Sequence, residues 1–108
     1  MRTLDQIRET YLSSQSLFSE GLNEKKIPKG FGQIGFMTCE ACLLLSETSN
    51  PRFAKVVDTL ANVFETLGRR QTMEDGIPEN VVQACMACEY ATLELMVILQ
   101  NCPEERTR

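Results

Sequence analysis

Two cysteine pairs with identical spacing are the residues of this sequence best suited to chemistry. Cys39 and Cys42 are separated by Glu-Ala, and Cys85 and Cys88 are separated by Met-Ala. Because residues i and i+3 share one face of an α-helix, each pair presents two thiols to the same side. Two such helices facing each other would bring four sulfurs to one point, as a soft metal ion or a redox couple requires.

The first interpretation of these thiols is a metal site. Zinc and iron accept thiolate ligands, so Cys39, Cys42, Cys85 and Cys88 are predicted as the ligands of a zinc or iron ion that stabilises the fold. The competing interpretation is packing, because cysteine is a small residue that is often buried in protein cores. Mid-helix placement favours packing, since structural zinc ligands usually lie on turns. Both interpretations stay open at this stage.

A dithiol redox function is a further alternative. One thiolate of a pair would attack a disulfide, and its i+3 neighbour would resolve the mixed disulfide. The expected products are a Cys39–Cys42 or a Cys85–Cys88 disulfide. Activation is weak by sequence, because the charged neighbours are Glu40 and Glu89 and neither pair lies at a helix N-terminus.

Other catalysis is constrained by the absence of histidine from the sequence. Without it there is no Cys-His or Ser-His pair, and no Glu-x-x-His pair of the kind that holds di-iron centres in helical bundles. The glycines between residues 30 and 35 match no nucleotide-binding fingerprint and follow no strand. The sequence therefore predicts no catalytic or cofactor-binding residues, and it favours a protein that is not an enzyme.

The elements that position the cysteines are predicted to be four helices in a single domain spanning residues 1–108. Caps and apolar periodicity place the helices at about residues 4–22, 31–47, 51–67 and 78–101. Thr3 and Gln6 have the spacing of a capping box, and Asn50 with Pro51 is typical of a helix start. No segment alternates as a strand would. The sequence therefore predicts an all-α antiparallel four-helix bundle.

Helical periodicity turns all four cysteines of the two pairs towards the core. They lie opposite the polar positions of their helices, which are Gln33, Glu40 and Glu47 in the second helix and Gln83, Glu94 and Asn101 in the fourth. In an up-down-up-down bundle the second and fourth helices run parallel, and the two pairs lie at similar depth. Four sulfurs are therefore expected to meet.

The second and fourth helices carry more apolar residues than one buried face can use. The additional residues are Phe36, Met37, Leu43 and Leu44 in the second helix and Met86, Tyr90, Leu93, Val97 and Ile98 in the fourth. Such surplus indicates a homodimer or a docked partner helix, unless these two helices are simply central in an asymmetric bundle. The principal prediction is a non-enzymatic protein that acts through protein–protein contacts, as an adaptor or regulator.

Charge and composition favour a cytoplasmic location. The net charge of −4 and the few grouped cations, at Lys25, Lys26, Lys29 and Arg69–Arg70, argue against a nucleic-acid partner. Polar residues interrupt the most apolar stretch, residues 81–99, so no membrane span is predicted. No charged-then-apolar leader opens the sequence, and reduced thiols are expected in the cytosol. Cys102, the fifth cysteine, is expected to be a bystander.

Overall fold

The computed structural model describes residues 2–70, with the backbone alone at Arg70, and residues 76–103. Within these residues the chain forms four α-helices and no strand, which confirms the predicted all-α class. The helices are α1 (Leu4–Asn23), α2 (Lys29–Leu45), α3 (Ala54–Arg70) and α4 (Glu79–Gln100), with a short 3₁₀ helix at Pro51–Phe53 before α3. The arrangement is compatible with the predicted helical bundle and measures 51 × 23 × 22 Å.

The start of α1 has the predicted capping box. The Gln6 backbone N–H donates to the Thr3 hydroxyl at 3.2 Å, and the Thr3 N–H donates to the Gln6 side chain at 2.9 Å. Two of the backbone donors left free at a helix start are thereby satisfied. In contrast, α2 begins two residues before the predicted Phe31, because Pro28 already occupies the N-cap and its carbonyl accepts from the Gly32 N–H at 3.0 Å.

The remaining helix bounds also differ from prediction by a few residues. The helix α2 ends at Leu45 rather than at residue 47. Asn50 does act as a cap, but the turn that it caps is 3₁₀, with the Phe53 N–H donating to the Asn50 carbonyl at 3.1 Å. For this reason α3 starts at Ala54 rather than at Pro51, and it continues to Arg70.

Contacts along the chain fix the neighbours and directions of the helices. The helix α1 packs against α2 and α4, and α3 packs mainly on α4 and less on α2. Arg2, just before α1, bonds Glu94 near the end of α4, and Arg8 near the start of α1 bonds Ser46 just after α2. Both α2 and α4 therefore run antiparallel to α1 and parallel to each other.

Small residues let the diagonal helices α2 and α4 touch across the centre of the molecule. The inner face of α2 carries Gly35, Cys39 and Cys42, all buried, and α4 contacts it through Cys88 and Thr92. These two belong to a buried row of mostly small side chains on α4 that also includes Ala84, Cys85 and Ala91. Large side chains complete the core around this contact, chiefly Ile7, Tyr11, Phe18, Phe64, Leu95 and Leu99. The cysteines thus lie at the centre of the fold.

Among the described helices, α4 has the length and mean hydropathy of a segment that could cross a membrane. Core helices of soluble proteins meet the same criteria, and the inner face of α4 is buried against α1 and α3. The sequence-based expectation of a soluble cytosolic chain stays a prediction.

Candidate functional site

The four paired cysteines, which we call the thiol cluster, are all free thiols with side chains fully shielded from solvent. The structure brings two of them into contact across the diagonal, with the Cys39 and Cys88 sulfurs 3.7 Å apart. The Cys42 sulfur lies 3.8 Å from the hydroxyl of Thr92 instead of meeting a second sulfur. The inward placement predicted from periodicity is therefore correct, and the close thiol pair joins two motifs rather than lying within one.

A stagger of one helical turn explains this pairing. Cys39, the first cysteine of its motif, opposes Cys88, the second cysteine of the other motif. Because three residues rise about 4.5 Å along an α-helix, Cys42 and Cys85 lie roughly one turn beyond the contact, on opposite sides of it. The thiol cluster is thus extended along the bundle axis.

The described residues contain no convergent group of three or more Cys, Asp or Glu side chains that could hold a metal ion. Of the four predicted sulfur ligands, the structure brings Cys39 and Cys88 together, at a separation that suits two ligands of one metal. The four-cysteine zinc or iron site stays a prediction, and forming it requires Cys42 and Cys85 to move towards the central pair.

A hydroxyl pair extends the thiol cluster towards α1. Thr92 is fully buried and donates its proton to the Cys88 carbonyl at 2.6 Å. A threonine hydroxyl has one proton, so the Tyr11 hydroxyl, 2.8 Å away, must donate to the Thr92 oxygen. Burial raises the pKa of Tyr11 and so keeps it protonated as a donor.

The four thiols differ in pKa because their surroundings differ. Burial raises the pKa of Cys42 to about 11 and that of Cys85 to about 12. Within the central pair, we assign the Cys39 thiol as the donor to the Cys88 sulfur. This bond, and after it burial, raises the pKa of Cys39. The same bond lowers the pKa of Cys88 and so favours its thiolate. A hydrogen bond from the Ser14 hydroxyl and the positive charge of Arg2 further lower the pKa of Cys88.

A surface groove lies between α1 and α4, and its wall includes Ala87, the residue that precedes Cys88. Its volume is about 580 Å³, and its lining includes Arg2, Ser13, Ser14, Ala84 and Ala87. The Ser14 hydroxyl also lowers the pKa of Cys88, so this one side chain relates the wall of the groove to the central thiol pair.

Arg2 and Glu94 close one end of this region. The Arg2 guanidinium donates to Glu94 Oε1 at 2.7 and 2.9 Å, and the Arg2 backbone N–H donates to Oε2 at 2.8 Å. The Glu94 side chain is 23% exposed, less than its predicted solvent-side position implies. The physical reason is tertiary: a cation 92 residues away along the chain covers it.

The outer faces of α2 and α4 carry exposed apolar side chains. On α4 they are Met86, Tyr90, Leu93 and Val97, and on α2 they include Ile34, Met37 and Leu44. The spacings of four, three and four residues on α4, and of three and seven on α2, align each set along one side of its helix. Because α2 and α4 meet through their inner faces, these two outer stripes face opposite sides of the molecule.

Among the neighbours of the thiol cluster, Thr92 shares the inward face that helical periodicity gives to Cys88, whereas sequence reasoning missed Tyr11, Ser14 and Arg2. Thr92 lies four residues after Cys88, so it shares that helix face and offered a local signal. The other three belong to α1 or precede it, and nothing local to the cysteines indicated them. In comparisons with known protein families, curated proteins and solved structures, nothing matches this chain.

Proposed function

We propose that this chain is a non-enzymatic, cytoplasmic helical-bundle protein that acts through protein–protein contacts, as an adaptor or regulator. The observation that carries the proposal is the pair of outward apolar stripes on α2 and α4. Met37 and Tyr90, one from each stripe, are 68% and 63% exposed, although both belong to helices whose inner faces form the core. Aligned exposed apolar residues are typical of a helix that binds another helix.

The α2 stripe is the better candidate for self-association. Within Lys29–Leu45 the charged residues are Lys29 and Glu40, and the Glu40 carboxylate already accepts from Gln15 at 3.0 Å. A cleft of about 330 Å³ beside this stripe is lined by Ile34 of α2 and by Val63 and Leu67 of α3, among other residues. A second copy would find an apolar surface there with few charges to desolvate. We therefore propose a homodimer through the α2 stripe.

The α4 stripe is less suited to a second copy of itself. The helix contains Glu79, Glu89 and Glu94 and no lysine or arginine. Glu94 is bonded to Arg2, but Glu89 also flanks the stripe, so a two-fold pairing of α4 with α4 would place Glu89 near acidic residues of the second copy. A partner helix whose apolar residues are flanked by Lys or Arg fits this face better.

Analytical ultracentrifugation of wild type and two matched variants tests this assignment. Met37→Glu and Tyr90→Glu each place one charge at a similarly exposed position outside the core. We expect a wild-type dimer that Met37→Glu dissociates and Tyr90→Glu leaves intact. A monomeric wild type at the highest soluble concentration would contradict the dimer. Dissociation by Tyr90→Glu alone would show that the dimer interface lies on α4 and not on α2.

The proposed partner of α4 can be tested with a synthetic probe. Two amphipathic helical peptides with the same leucine stripe, one flanked by lysines and one by glutamates, would be compared by fluorescence anisotropy. The lysine peptide should bind wild type more tightly, and Tyr90→Glu should weaken that binding while Met37→Glu should not. Unchanged or tighter binding in both variants would show that the peptide binds by net charge and not at the stripe.

A soft-metal site is a second candidate function. The 3.7 Å between the Cys39 and Cys88 sulfurs favours it, since two thiolates bound to one zinc at about 2.3 Å are about 3.8 Å apart. Elemental analysis of reduced protein, purified without a nickel column, should then find about one zinc or iron per chain or per dimer. Two results together would remove this candidate. They are a wild-type protein that carries no stoichiometric metal, and a variant with all four cysteines replaced by Ala that keeps its full stability.

A further inference from the structure

The central thiol pair has a geometry that neither cysteine motif has alone. Cβ atoms three residues apart on a helix are about 5–6 Å apart, whereas a disulfide holds them at about 3.5–4.5 Å. A disulfide between Cys39 and Cys42, or between Cys85 and Cys88, would therefore distort its helix. Cys39 and Cys88 lie on different helices that already touch, with sulfurs 3.7 Å apart.

The groove between α1 and α4 lies on the Cys88 side of this thiol pair. Ser14 of α1 and Ala87 of α4 line the groove, and Ala87 directly precedes Cys88, whereas Cys39 contacts Cys88 from α2, which does not line the groove. A reagent that enters the groove therefore meets Cys88 before Cys39. The Cys88 sulfur is fully buried, so the oxidant that the proposal requires is one close to water in size.

We propose that Cys88 and Cys39 form an inter-helix dithiol site that reacts with a small hydroperoxide and closes as a disulfide joining α4 to α2. Cys88 is the attacking thiol and Cys39 is the resolving thiol. The site takes hydrogen peroxide or a similarly small hydroperoxide as its oxidant, and it makes the bundle sensitive to oxidation at its centre.

Oxidation of the Cys88–Cys39 pair takes two steps. The Cys88 thiolate attacks the outer peroxide oxygen, so an S–O bond forms, the O–O bond breaks and the released oxyanion takes up a proton. Cys39 sulfur then attacks the Cys88 sulfenic acid, so an S–S bond forms, the S–O bond breaks and the thiol proton leaves with hydroxide as water. Two thiols lose two electrons in total, and one hydrogen peroxide is reduced to two waters.

Peptide mapping of the native chain tests the pairing without any substitution. The reduced protein is treated with hydrogen peroxide, free thiols are trapped and the chain is cut with trypsin. Residues 30–52 contain Cys39 and Cys42, and residues 71–106 contain Cys85, Cys88 and Cys102. We expect these two peptides to become cross-linked and to separate again after dithiothreitol. Disulfides confined within either peptide, or no oxidation of native protein under conditions that oxidise unfolded chain, would overturn the proposal.

Substitutions then identify the sulfurs within the cross-link. In a Cys102→Ala background, Cys42→Ala with Cys85→Ala should keep the cross-link, whereas Cys39→Ala with Cys88→Ala should lose it entirely. The opposite pattern would overturn the assignment. Both double variants remove two buried sulfurs, so they are matched in their effect on the core.

The groove is tested by the rate of cross-linking. Ser14→Ala removes the hydroxyl that bonds Cys88, and we expect about tenfold slower cross-linking, the effect of losing one hydrogen bond to a reacting group. Ser13→Ala is the control, because Ser13 lines the same groove on the exposed side. Equal rates in both variants would overturn the assignment of Cys88, the thiol beside Ser14, as the attacking thiol.

Discussion

The buried hydroxyl pair allows a quantitative test of the arrangement around the thiol cluster. Thr92→Val keeps the shape of the side chain but removes the acceptor for the Tyr11 proton, which lies 2.8 Å away in a fully buried position. The Cys42 sulfur, a weak acceptor that also interacts with the Tyr11 hydroxyl, is then its remaining partner, so we expect a loss of about 2 kcal/mol, within the range of about 1–3 kcal/mol for a buried donor that loses its partner. Tyr11→Phe costs less, about 1 kcal/mol, because Thr92 still donates to the Cys88 carbonyl.

The double variant distinguishes a direct bond from two independent effects. With single costs of about 2 and 1 kcal/mol, independent sites would give about 3 kcal/mol. When both hydroxyls are replaced, no buried donor remains unpaired, so we expect the double variant to lose only about 1 kcal/mol. The coupling free energy between Tyr11 and Thr92 is then about 2 kcal/mol.

The assay is urea unfolding followed by circular dichroism, with the free energy of unfolding extrapolated to water. Thr59→Val is the matched control for Thr92→Val, because Thr59 makes the same type of bond to the carbonyl four residues earlier but is exposed. Tyr90→Phe is the exposed control for Tyr11→Phe. Additive losses in the double variant, within about 0.5 kcal/mol, would refute the hydroxyl pair.

Two further variants test packing and charge elsewhere in the fold. Gly35→Ala places a Cβ 2.5 Å from a Phe18 ring carbon and should cost about 1–3 kcal/mol of unfolding free energy. Gly30→Ala is the control, because its Cβ meets nothing within 4 Å and the change should be neutral or stabilising. Equal effects of the two substitutions would contradict this packing. Glu94→Gln should cost about 1 kcal/mol at neutral pH, because Arg2 bonds the ionised carboxylate and lowers its pKa. The contribution of this ion pair to stability is present above the unfolded-state pKa of Glu94 and is lost as the pH falls through its folded-state pKa. The denaturation curves of variant and wild type should therefore converge in acid. A pH-independent difference in stability would count against the pair.

The helices and their inner faces were predictable because the signals that specify them are local. A cap such as Thr3 with Gln6 depends on neighbours along the chain, and the inward direction of Cys39 or Cys88 follows from the helical period. The bounds of α2 and α3 were less accurate. A proline at an N-cap or in a 3₁₀ turn shifts a helix start by two or three residues without changing the apolar pattern.

The register between α2 and α4 was not predictable from either helix. A parallel alignment at similar depth was expected, but a one-turn stagger determines whether four sulfurs converge or only two. That stagger belongs to the packing of helices that are distant in sequence, in which the Phe18 ring of α1 also covers Gly35 of α2. The Arg2 contact was equally remote, since it joins residues at the two ends of the described chain.

The interaction proposal and the peroxide proposal can fail independently, because they use opposite faces of the same two helices. Met37 points outward from α2, whereas Cys39, two residues later, lies at the centre of the core. A 200° rotation separates positions two residues apart on a helix, so a charge at Met37 is remote from the thiol pair. Met37→Glu should therefore dissociate the dimer and leave Cys39–Cys88 cross-linking intact, whereas Cys39→Ala should abolish the cross-link and leave the dimer. Loss of both properties in either variant would mean that the helix had unfolded or shifted, and circular dichroism of the same samples would show which.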